Sequence, residues 1–575
     1  MPIEQAQVAE QTELLVTRRE VCGRQGMVTA KHPLVADLGI RVLRDGGNAV
    51  DAAAAMAFAI GVVEPHMSGL GGGGFMSIHL RDGRNLVVDY FARAPLATVP
   101  DMYELTPDFR ADRLGFTGVK DNANTVGPRS VAAPGLAAGL TLARDRFGSL
   151  PLERLMQPAI GLAEHGYPVT WHTTLMQAAS ARLLRCFPAT AAAFLEDGLP
   201  YAPGPDTPVH LRQPDLAATL RRIADQGAAG FYRGSVAAGI AAEMARTGGL
   251  VTEADLAQYE ARLVDASIGD YRGYGLLAIP GASGGTTLLE SFNILEGYDL
   301  AALGQNSAPA LHRLIEAARR SHADRLAYLG DPEQVRTPVR ALVSKAYAAE
   351  RRAQIEAERH SPARPGDPWR FESSGTRREA TVPAGEGDGG CTTHLSVIDA
   401  EGNAVAVTQT LTSLWGSGVT AAGTGVLLNN TMNLFNPKPG NANSIAPWKR
   451  PASSMAHFIV LRDGQPVLIS GAPGGRRIMD TVLQVTLNVL DFGMGIQEAV
   501  SAPLIDATGP ETYVDPRIPE AVREQLTAMG HQLDVRAREF YPGHYARPAG
   551  ITRDPHTGEL RGGADPYDVG VAAGY

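Results

Sequence analysis

The chain has 575 residues, 44% of them hydrophobic and 20% charged, enough for a large core and several domains of ordinary globular composition. A net charge of -9 and the lack of a Lys/Arg-rich run exclude a nucleic-acid footprint. Cys22, Cys186 and Cys391 are too few and scattered for a disulfide framework or Cys-based zinc site. No apolar run of about 18 residues predicts a membrane span, and the opening residues lack the basic-then-apolar secretory pattern, so a cytoplasmic location is expected.

Residues 1–20 read as a loose tail. Residues 26–30 read as a strand, and residues 33–43 as a helix ending at Gly46-Gly47. Asn48 is placed to cap an Ala-rich helix over 49–62, which must pack closely against something. The tetraglycine 71–74 lacks the Gly-Lys-Ser/Thr ending of a phosphate loop and reads as close backbone packing beside a strand. Residues 76–90 form a hairpin through Asp82-Gly83, and residues 127–244 are mostly helical, with a clear amphipathic period over 152–165.

A strand over 276–280 and a helix over 286–297 flank Gly281-Ala282-Ser283-Gly284-Gly285. This matches the G-x-S-x-G nucleophile elbow, so a serine hydrolase using Ser283 is one reading. It needs a downstream histidine from among His312, His322, His394, His457, His531 and His544, none of which its local motif singles out. Residues 307–329 form another helix. Residues 360–390 carry few apolar side chains, several prolines and many charges, and are expected to be mobile or to become so after cleavage. From Thr392 the pattern is β-rich. Strands over 393–398 and 404–410 flank a turn at Glu401-Gly402-Asn403, and strands over 457–461 and 466–470 flank Asp463-Gly464. Residues 477–490 close this region as a helix. The class is α+β, with two sheets packed together under helices.

Thr392 stands where the polar run enters the first of these strands, in Gly389-Gly390-Cys391-Thr392-Thr393-His394. A cut before it would leave a threonine with a free α-amine. That amine, with a pKa of about 7.7–8.0, is partly neutral near pH 7 and can take the proton of its own hydroxyl. A threonine hydroxyl needs such a base to act as a nucleophile.

Several spaced motifs make the chain resemble the γ-glutamyltransferase family. They are Gly46-Gly47-Asn48-Ala49-Val50-Asp51-Ala52-Ala53, Val63-Glu64-Pro65-His66-Met67-Ser68-Gly69-Leu70-Gly71-Gly72-Gly73-Gly74-Phe75, the Thr392 element, Leu427-Leu428-Asn429-Asn430, Lys449-Arg450-Pro451-Ala452-Ser453-Ser454-Met455 and Gly471-Ala472-Pro473-Gly474-Gly475. The resemblance implies a self-cleaving N-terminal-nucleophile hydrolase needing no metal or organic cofactor. It implies a four-layer αββα sandwich built jointly by a large chain, 1–391, and a small chain, 392–575. These form a heterodimer that can pair again, acting on a small-molecule amide.

Carried over residue by residue, Thr392 is the nucleophile, first against the Cys391 carbonyl and then against substrate. Thr410 supports its hydroxyl, Gly474 and Gly475 hold the oxyanion, and Ser453 and Ser454 bind the donor's α-carboxylate. The departures fall on the donor's charged head. Phe91 stands where the family has an arginine, and Arg93, two residues on, is offered as a partial substitute. Thr412 stands in place of an asparagine. In Asn430-Thr431-Met432-Asn433-Leu434-Phe435, Thr431 and Asn433 also depart from the usual residues, and Leu434 replaces the aspartate that grips the α-ammonium. The loop 440–448 is shorter than the lid of many members. The donor is therefore either a γ-glutamyl amide such as glutathione held by altered contacts, or an acyl group without the α-amino group, as in glutaryl-cephalosporin acylases or oxamate-type amidases. A third reading is a processed protein that only binds.

Overall fold

The structure is a computed structural model that describes residues 16–106, 118–204, 207–372, 390–541 and 543–575. Two antiparallel seven-stranded sheets dominate it. The first runs in the order Val571–Gly574, Gly26–Ala30, Cys391–Asp399, Ala404–Thr412, Gly73–His79, Asn85–Asp89 and Arg262–Asp265. The second runs Val21–Gly23, Leu560–Ala564, Ala549–Arg553, Gln465–Gly471, His457–Arg462, Tyr274–Ala278 and Ser267–Tyr271. Both sheets mix strands from before and after Thr392, so neither part of the chain completes a sheet alone.

Strand alternation sends successive side chains to opposite faces. Met27, Ile398 and Ala406 of the first sheet meet Leu277, Ile459 and Ile469 of the second in a shared core. The opposite face of the first sheet, with Val28, Leu395, Val397, Val405 and Val407, packs under helices that include Pro33–Arg44 and Ala49–Val63. The opposite face of the second, with Phe458, Val460 and Leu468, lies under Gly284–Leu295, Ala308–Tyr328 and Arg477–Leu490. The Ala-rich helix is buried along its whole length, and Asn48 caps it in a reciprocal box with Asp51.

Every residue of Cys391–Asp399 and Ala404–Thr412 is buried, although many are polar. Hydrogen bonds reconcile the two. His394 bonds Thr408 (2.9 Å) and Ser396 (2.9 Å), while His457 bonds Thr408 (2.8 Å) and Ser77 (2.7 Å) across the sheets. Burial pushes the His394 imidazole down to about 3, so it stays neutral inside the core. The tetraglycine packs as expected. A Cβ at Gly72 would lie 2.2 Å from the Thr410 carbonyl oxygen, so its bare backbone lets Gly73–His79 close on the Thr410 strand.

The expected elements are present with small boundary shifts. Residues 152–165 and 477–490 are the helices Leu152–His165 and Arg477–Leu490. The tail expected to be mobile divides. Residues 360–372 are docked, with His360 N–H on the Met529 carbonyl (2.7 Å) and Gly366 N–H on Asp324 (2.6 Å). Residues 373–389 lie outside the described residues, as do 1–15.

Candidate active site at Thr392

Thr392 lies one residue into its strand, 3% exposed. Cys391 pairs with Thr412 and Thr393 with Gln409, so Thr410 and Leu411 together oppose Thr392. This one-residue bulge re-aims side chains at the strand end. Leu411 bonds outside the ladder, its N–H to the Met67 carbonyl (3.0 Å) and its carbonyl to the Asn430 N–H (3.1 Å). The strand then leaves through Thr412 at φ 87°, a left-handed conformation that costs a β-branched residue of order 1–3 kcal/mol.

The bulge places the Thr410 hydroxyl between the Thr392 hydroxyl and the Cys391 carbonyl. Thr410 Oγ1 donates to the Cys391 carbonyl oxygen. It accepts from Thr392 Oγ1 (3.4 Å) and from the Thr412 N–H (2.7 Å). One donor and two lone pairs are all engaged, which fixes the hydroxyl's direction.

Phe91, Thr412, Leu434, Ser453, Ser454, Met455, Gly475 and Ile478 wall the chamber around Thr392 and Thr410. None is ionisable. Gly475 has φ 61° and Gly474 φ 146°, conformations suited to glycine. A Cβ on Gly474 would also lie 2.6 Å from Ala546. Neither glycine N–H engages a carbonyl among the described residues, which leaves the pair able to serve an oxyanion. The Phe91 ring stacks on Phe75, with centroids 5.4 Å apart.

The other expected site residues separate. Arg93 does not replace the missing arginine. Its guanidinium is held by the Trp448 carbonyl (3.0 Å) and Glu333 (2.7 Å), outside the chamber wall. Thr431 stands behind the wall, its hydroxyl on that of Thr412 (2.8 Å), and Asn433 donates to Ser413 (3.2 Å). Ser283 is no elbow nucleophile. It caps Gly284–Leu295, donating to the Ile279 carbonyl (2.6 Å) and accepting from the Gly285 N–H (3.1 Å), and no histidine partners it among the described residues. On the Cys391 side of the Cys391–Thr392 bond, a groove of about 600 Å³ is lined by Gly390, Cys391, Arg477, Tyr513 and Tyr541.

Sequence reasoning missed Met455 and Ile478 as walls, and it missed the charged group beneath the nucleophile strand. Thr393 donates to Glu64 (3.0 Å), Lys31 lies 3.3 Å from Glu64 and 2.9 Å from Asp568, and all are buried. Burial pushes the Glu64 carboxyl up to about 7, with the Lys31 ammonium opposing it. Burial would also raise Asp568, but Lys31 holds it down at about 2. An acid directly after a helix that is apolar from Ala52 to Val63 was the available signal, because that helix end has to be buried too.

The family description Gamma-glutamyltranspeptidase matches residues 35–575. The chain belongs to that family. It is 40% identical over 518 residues to an acylase ACY 1 proenzyme of Pseudomonas sp. (strain SE83), covering 90% of this chain and 88% of the relative. It is 36% identical over 574 residues to a glutathione hydrolase proenzyme of Escherichia coli (strain K12), covering 96% and 93%. Among solved structures, the cephalosporin acylase from Bacillus halodurans superimposes with a TM-score of 0.85 at 29% identity, covering 100% of this chain and 99% of that one. The chain is an amide hydrolase or acyltransferase of γ-glutamyltranspeptidase type.

The raised Glu64 pKa has a defined sign. The folded state binds more protons than the unfolded state between about pH 4.5 and 7, so this carboxyl contributes stability that falls as pH rises through that window. Glu64→Gln should flatten the decline of the melting temperature from pH 5 to 8, as differential scanning fluorimetry will show. An unchanged slope would assign the dependence elsewhere.

Proposed function

We propose that the protein is a self-processing threonine amidase whose acyl donor lacks a charged amino-acid head. The observation that carries this is the wall of the Thr392 chamber, which holds no ionisable side chain. A γ-glutamyl donor would bring an α-ammonium and an α-carboxylate there, with Leu434 and Phe91 facing them. Ions without partners are costly to desolvate. Ser453 and Ser454 remain as neutral hydrogen-bonding groups. The relative named as an acylase and the structural neighbour named as a cephalosporin acylase support the same reading.

In self-cleavage, Thr392 Oγ1 attacks the Cys391 carbonyl carbon. The new C–O bond replaces the C–N bond to Thr392, and the hydroxyl proton passes to the departing nitrogen. Water then hydrolyses the ester to a Cys391 carboxylate and a free Thr392 amine. The Thr410 hydroxyl bond to the scissile carbonyl supports this step by stabilising charge on that oxygen. The two resulting chains would form the αββα sandwich together, since each sheet draws strands from both sides of Thr392. In turnover the Thr392 amine takes the proton of its own hydroxyl, and Oγ1 attacks the substrate amide. The N–H groups of Gly474 and Gly475 would hold the oxyanion. The leaving amine departs with a proton, and water or another amine resolves the acyl ester.

Removing the Thr410 hydroxyl should slow the appearance of the two chains by about 10²–10³, the usual cost of one oxyanion donor. Thr410→Val will show this in a time course of chain fragments, and Thr410→Ser should restore the rate. Among p-nitroanilides, the wild type should cleave the glutaryl amide with at least tenfold higher kcat/KM than the γ-glutamyl amide. A preference for γ-glutamyl would overturn the donor assignment, and silence across both with intact self-cleavage would favour a binding protein.

A further inference from the structure

A second cavity of about 220 Å³ lies against the Thr392 chamber, and Phe91 lines both. The two also touch through the backbone, where Ser283 at the second cavity bridges Ser453 at the first. Near Phe91 the second cavity is apolar, walled by Phe75, Val87 and Val264, and beyond these it reaches Arg262 and Arg450 together with Asp89 and Asp331. Its exposed residues are Asp265 and Pro332.

The arginines are the feature that points to a ligand. Arg450 is 4% exposed, and Nε, Nη1 and Nη2 are all buried without a hydrogen-bond partner. Its ion pairs are looser than they could be, at 3.6 Å to Asp89 and 3.2 Å to Glu333. Both acids are already claimed more closely. Arg262 bonds both Asp89 and Glu333, and Arg93 lies 2.7 Å from Glu333. A buried guanidinium with unfilled donors lining a cavity has the chemistry to take a carboxylate.

Resting on the proposed amidase function, we infer that the acyl site continues past Phe91, and that the preferred donors are monoamides of dicarboxylic acids longer than glutaric acid. The methylene chain lies along Phe75, Phe91 and Val264, and the distal carboxylate bonds Arg450. The cavity has the volume for several methylene groups, since an apolar cavity of about 150 Å³ holds a benzene ring.

Binding of free diacids tests this separately from turnover. By isothermal titration calorimetry on the protein as purified, suberic acid should bind at least tenfold more tightly than glutaric acid or octanoic acid. Val264→Phe fills the cavity and should erase the advantage of suberic acid; Ala282→Leu serves the same purpose if the first variant melts early. Equal affinities for suberic and glutaric acid, or for suberic and octanoic acid, would overturn the inference, as would an advantage unchanged in both variants. Suberic acid binding that is lost in the variants, with no amide cleaved, would uphold the cavity and sink the amidase reading. Cleavage of glutaryl amides with no suberic acid advantage would do the reverse.

Discussion

The structure turns on one hydrogen bond, from the Thr410 hydroxyl to the Cys391 carbonyl. It exists because the strand Ala404–Thr412 spends one extra residue opposite Thr392. Without the bulge, register would carry Thr410 past the Cys391 carbonyl. The cost is visible at Thr412, a β-branched residue held at φ 87°. The surroundings hold that strain in place. Met67 and Asn430 take up the backbone groups of Leu411, Thr431 takes the Thr412 hydroxyl, and Gly72 lets the neighbouring strand press against the Thr410 carbonyl.

The same strand pair explains how buried polar residues coexist with a large core. Thr393, His394, Ser396 and Thr408 are all buried, and each has a hydrogen-bond partner. His394 is therefore part of the packing between sheets and is no catalytic base, which agrees with its strongly lowered pKa. On the proposed mechanism the amine released at Thr392 is the base closest to the nucleophile, so chemistry and processing are coupled, since the same bond must break before that base exists.

Much of this was legible in the sequence, and for identifiable reasons. Hairpin turns at Asp82-Gly83 and Asp463-Gly464, the Asn48 cap and the amphipathic periods of 152–165 and 477–490 are local signals, and local signals survive into the fold. Thr392, Thr410 and Gly475 were singled out through motifs, and the structure brings them to one chamber. What was not legible depends on contacts between distant segments. The strands at Arg262–Asp265, Ser267–Tyr271 and the C-terminal end are short and take their identity from their neighbours. Arg93 was expected to reach the chamber because it shares a face with Phe91. Glu333, distant in sequence, draws it elsewhere. Ser283 matched an elbow motif, yet the same residue pattern also describes a helix cap, and only the third dimension separates the two.

The central claim is that Thr392 cuts the chain and then works from the new end. It is tested most directly by intact-mass spectrometry of the purified wild type beside Thr392→Ala. The account predicts two chains in the wild type, the smaller beginning at Thr392, and a single full-length chain in the variant. A wild type that stays whole, or a variant that is cut at the same bond, would contradict it.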